Sequence, residues 1–119
     1  MAVFLVLLFN ILTVQKSYYI FFERSGGFTG IRTSVEIDSR SLPPEEAEKL
    51  EELINDSGFF EAIKEDSLPA GMPDQFQYKI TIEYEGNKQT RELTESSVPD
   101  RFRPLVDYLT RKARQKKEY

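Results

Sequence analysis

Cysteine and histidine are both absent from the 119 residues, and tryptophan is absent too. Without cysteine there is no disulfide framework, and no mark of the redox compartment. Without either residue the usual zinc sites are excluded, as are histidine-based triads and a cysteine nucleophile. An enzyme would have to run on carboxylate, Lys, Tyr or Ser chemistry alone, and no triad or metal set can be assembled from that inventory. An enzyme is therefore not expected, and no cofactor is implied. A basic excess is missing as well. The formal net charge is -4 and the isoelectric point near 5.0, which argues against nucleic acid as a partner, because neutralising phosphates needs clustered Lys and Arg. At 39% hydrophobic residues, the chain is long enough for one core and too short for two.

The longest apolar run stands at the start. Residues 1–14 are interrupted only by Asn10 and Thr13, and Lys16 is the first charged residue. A secretory signal wants a positive start and a small-residue cleavage site, and neither is present. A spanning helix wants about 20 apolar residues, more than this run offers. Three readings stay open for residues 1–17: a start placed too far upstream, an atypical signal or anchor, and an extra ordered element. Under the first the protein is cytoplasmic; under the second it is exported or held at a membrane. Residues 18–117 are read as one domain.

Residues 18–24 are short, aromatic and rich in strand formers. Ile31, Thr33, Val35 and Ile37 alternate with Arg32, Ser34, Glu36 and Asp38, the period of a half-buried strand. A helix opens at Leu42-Pro43-Pro44-Glu45 with Ser41 as candidate cap, carries Ala47, Leu50, Leu53 and Ile54 as its apolar stripe, and stops at Gly58. Phe59, Phe60 and Ile63 follow as core plugs. Residues 68–73 have two prolines and no periodicity, hence a loop. Phe76, Tyr78, Ile80, Ile82 and Tyr84 make the strongest strand pattern. Gly86-Asn87 reads as a hairpin turn, with a polar edge strand over residues 88–94. Phe102, Leu105, Val106, Leu109 and Ala113 recur at helical spacing. The expected fold is α+β, a four-stranded antiparallel sheet with both helices on one face, in the order ββαββα.

Two features invite a functional reading. Arg24-Ser25-Gly26-Gly27-Phe28-Thr29-Gly30-Ile31 sets three glycines and one aromatic between two strands. It is not a phosphate cradle, since it lacks a Gly-Lys-Ser/Thr ending and leads into a strand rather than a helix. A large apolar side chain at such a tip needs a partner's pocket or a fold back onto its own sheet. The plainer alternative is an ordinary long hairpin. The glutamates at 45, 46, 48, 51 and 52 read as a solvated helix face. Asp74 and Asp100, each beside a proline, read as turn-closing residues. The basic tail of Arg111, Lys112, Arg114, Lys116 and Lys117 reads as a helix end matched to its own dipole.

The pairing of RSGGFTGI (residues 24–31) with DQFQY (residues 74–78), with SGFF at residues 57–60 between them, resembles the emfourin family, bacterial inhibitors of thermolysin-like zinc metalloproteases. The resemblance covers about residues 19–113. It implies a protein inhibitor whose partner is such a protease, with no catalytic residue and no metal of its own; separately, a monomer is expected. Such proteases cleave before bulky apolar residues, so the resemblance suggests a loop-borne apolar anchor on a stiff backbone. Arg24, Ser25, Gly26, Gly27, Phe28, Thr29 and Gly30 are the candidate contact residues, with Asp74 and Gln75 as secondary ones. The competing reading is a non-enzymatic interaction module that self-associates through the edge strand at residues 88–94.

Overall fold

The computed structural model describes residues 17–26, 30–61 and 75–116. Strand β1 spans Tyr18–Gly26, β2 Thr33–Asp38, helix α1 Pro44–Ser57, β3 Phe76–Tyr84, β4 Asn87–Thr94 and helix α2 Arg103–Lys116. The strands form one antiparallel sheet in the order β2-β1-β3-β4. This is the expected α+β order.

Alternation puts one face of each strand into the core. Tyr18, Ile20 and Phe22 of β1, Val35 and Ile37 of β2, Tyr78, Ile80 and Ile82 of β3, and Leu93 of β4 are buried. They meet Leu50, Ile54 and Phe59 from α1 and its exit, and Phe102, Leu105, Val106, Leu109 and Ala113 from α2 and its entry. Both helices therefore cover the same face, because each has a single apolar stripe and the sheet offers a single apolar side. Tyr108 Oη donates to Glu46 Oε2 at 2.7 Å, and Lys112 pairs with the same carboxylate, which ties α2 to α1. Lys112 first, then Tyr108, holds the Glu46 carboxyl below its usual range. Burial, then Glu46, pushes the Tyr108 hydroxyl above its usual value.

Several local expectations are corrected. Ser41 does not cap α1; Pro43 occupies that position, and Ser41 sits in a short 3-10 turn, donating to Asp38 O at 2.7 Å. With Pro44 as first helical residue, one unpaired donor is removed in advance, and Glu45 and Glu46 complement the dipole. The second strand begins at Thr33 rather than Ile31, and Ile31 is 54% exposed. The hairpin turn is Glu85-Gly86, both at positive φ (52° and 80°), and Asn87 already pairs with Tyr84. Moving the turn back by one residue slides β4 by two positions, so its faces are unchanged but its partners are not. Ile63 and the loop at residues 68–73 lie outside the described residues, as does the apolar run at residues 1–16. Among the described residues, no helix is long and apolar enough to cross a membrane.

That register sets Arg91 opposite Ile80 on the core side. Its side chain is buried. The guanidinium donates to Phe59 O through Nε (3.1 Å) and Nη2 (2.8 Å), and also to Glu61 O. Phe59 and Glu61 lie just beyond the helix end, so one edge-strand arginine closes the α1 exit onto the sheet. Arg91→Met is expected to lower stability by about 2–3 kcal/mol, since buried carbonyls lose their donors. Arg91→Lys should recover little, because a single ammonium lacks the planar fork that serves both carbonyls. Urea midpoints check this; a midpoint unchanged in Arg91→Met would remove Arg91 from that role.

Candidate functional site

The glycine-rich segment begins inside the sheet. Arg24 is the last β1 residue paired on both sides, with Thr33 of β2 and Tyr78 of β3. Ser25 and Gly26 continue along β3 alone, opposite Gln77 and Phe76. The expected strand end at Arg24 is thus corrected to Gly26. β1 overhangs its hairpin partner, and the connection back to β2 springs from the β1–β3 ladder.

Gly26 has φ +106°, and a Cβ placed there would stand 2.5 Å from Gln75 O. Close backbone approach and a left-handed conformation coincide at this residue, so glycine is required twice over. Gly30 also has positive φ (+68°), with open space around it. Gly27, Phe28, Thr29 and Asp74 lie outside the described residues. Gln75 is described: its Oε1 accepts from Ser96 Oγ at 3.0 Å. The described parts of the two stretches singled out in the sequence, residues 24–26 and 75–78, are therefore side by side at one end of the sheet.

Beside them lies a groove of about 540 Å³ between that end of the sheet and α2. The Arg24 guanidinium carbon stands 3.6 Å from the centroid of the Phe76 ring, a cation–π arrangement that orients it. Tyr78 Oη donates to Glu95 Oε1. Burial first, then this hydrogen bond, pushes the Tyr78 hydroxyl up, with Arg24 opposing. Arg103 of α2 reaches the same glutamate, 3.3 Å from Oε2. Glu95 thereby joins the start of β3 to the start of α2.

Two things escaped sequence reasoning. Ile31, expected on the core face of β2, is a large exposed apolar residue at the foot of the loop. The basic residues of the tail, read as a dipole match, divide by face: Lys112 turns to Glu46, whereas Arg111 and Arg114 line the groove. Their spacing from Arg103 carries the helical period and was the available signal. The sequence did not show what lay opposite.

A family model described as Emfourin matches residues 22–110, well over half of the chain. No curated protein matches. Among solved structures, emfourin (M4in) from Serratia proteamaculans, an M4 family peptidase inhibitor, is similar at 22% sequence identity, with 75% of this chain and 85% of that chain covered and a TM-score of 0.44.

Proposed function

Because the chain belongs to the emfourin family, whose members are inhibitors and not enzymes, we propose that it is a protein inhibitor of a thermolysin-like zinc metalloprotease. The glycine-rich loop enters the active-site cleft, and Phe28 is its apolar anchor. One observation supports the loop above other surfaces: its first arm is laddered to β3 as far as Gly26, and Gly26 is packed against Gln75 O with no room for a side chain. A segment held that firmly at its root loses little freedom on binding, and it resists being drawn into a cleavable geometry. Arg24, Ser25, Gly26, Gly27, Thr29 and Gly30 flank the anchor, with Asp74 and Gln75 beside them, and the inhibitor acts as a monomer. Self-association through β4 has less support, since Lys88 and Glu92 place charges along that edge, a usual device against strand pairing.

Mixed with thermolysin-like enzymes, the purified protein should abolish peptide hydrolysis at near-stoichiometric amounts and leave serine proteases untouched. Full activity of several such enzymes at a large molar excess would sink the reading. Phe28→Ala should weaken inhibition by about 2 kcal/mol, roughly thirtyfold, with little change in melting temperature. If stability falls in step with inhibition, Phe28 packs on its own sheet and the anchor lies elsewhere.

A further inference from the structure

Arg103, Asp107, Thr110, Arg111 and Arg114 form one stripe of α2, next to the stripe it buries. Across the groove stands Arg24, laid over Phe76. The groove thus gathers four guanidiniums against two carboxylates, Glu95 and Asp107, on a chain whose overall charge is -4. Glu95 is already engaged by Tyr78 and Arg103. Among the described residues, no ion pair holds Arg111 or Arg114, and Arg24 Nε is buried with no hydrogen-bond partner. A buried guanidinium nitrogen left without an acceptor is costly.

Building on the inhibitor reading, we propose that this groove is a second contact surface for the protease, receiving acidic side chains from the rim of the cleft that the glycine-rich loop enters. The two surfaces are contiguous, since Arg24 is two residues from Gly26 and Phe76 is paired to Gly26. Planar guanidiniums fit carboxylates in a two-pronged manner, and Arg24 is already oriented by the ring beneath it. Glu95 and Asp107 in the walls oppose a dianionic phosphate more strongly than a single carboxylate. The overall negative charge likewise disfavours a polyanion such as nucleic acid. Exposed charges at a rim act chiefly on the rate of encounter.

The double variant Arg111→Glu/Arg114→Glu of the full chain tests this against a thermolysin-like enzyme by stopped-flow inhibition at low and high salt. Association should slow by about tenfold at low salt and lose most of its salt dependence, and dissociation should quicken because like charges then face each other in the contact, while the melting curve stays close to that of the unaltered protein. A charge-matched control, Lys49→Glu/Lys88→Glu, alters exposed lysines elsewhere and should slow association far less. Wild-type association rates in the arginine variant, with inhibition intact, overturn the groove and leave the inhibitor reading standing. Equal slowing in the control overturns it too, by reducing the effect to net charge. Failure of the unaltered protein to inhibit any thermolysin-like enzyme overturns both.

Discussion

Ile82→Asp is expected to leave the chain unfolded at room temperature. Ile82 is fully buried, flanked in the sheet by Ile20 and Gln89, and no described cation stands directly across the ladder to meet a carboxylate. An unpaired charge there costs several kcal/mol, against a total stability of about 5–15 kcal/mol for a domain of this size. Ile80 is the less clean site, because Arg91 lies opposite and could pair with a new acid. Thr81→Asp, one residue away, turns to the outer face, where Thr81 Oγ1 shares a hydrogen bond with Thr90 Oγ1 at 2.8 Å. It should cost only about 1 kcal/mol, a fall of roughly 5 °C in Tm. Thermal melts followed by circular dichroism separate the two; similar melting curves would mean that the inward face of β3 is misassigned.

Gly26→Ala should be the most damaging small change near the loop. A side chain at φ +106° is strained by about 1–3 kcal/mol, and its Cβ would overlap Gln75 O, a backbone atom directly before β3. Together these are expected to cost about 4 kcal/mol of stability. On the proposed mode of binding, inhibition weakens at least thirtyfold even at temperatures where the variant is folded. Gly30→Ala is the comparison, with positive φ but nothing within reach of the added methyl; about 1 kcal/mol is expected. If the two variants melt together, the contact at Gln75 does not constrain the loop. If Gly26→Ala melts early yet inhibits fully when folded, the loop root does not position the inhibitory surface.

The elements were legible because each carries its own period. Phe76 to Tyr84 alternates without a break, and Phe102 to Ala113 holds one helical stripe, so burial of each face followed from patterning alone. The errors fell at boundaries, where local pattern competes with pairing. Ile31 continues the alternation of β2 in sequence, yet the β1–β2 register ends at Arg24 and Thr33, two residues short of it, and its side chain is exposed. The Glu85-Gly86 turn was missed by one residue, because Asn87 favours turns and strand ends alike, and ladder pairing decided between them. Arg91 reads as one more charge on an edge strand; its burial depends on carbonyls that α1 leaves behind, 30 and 32 residues earlier.

By itself the sequence determined the α+β order, the two helical stripes, the inward faces of the central strands and the absence of thiol and imidazole chemistry, all of which follow from residue type and spacing. The resemblance carried by residues 24–31 and 74–78 also stood in the sequence, as two separate stretches. Only the tertiary structure brought those stretches together, by pairing Gly26 with Phe76, and only it turned Arg24 and the α2 arginines toward a common groove. The physical reason is that periodicity tells which way a side chain points within its own element, whereas a site is made by what another element places opposite, and that depends on register and on the burial of the whole core.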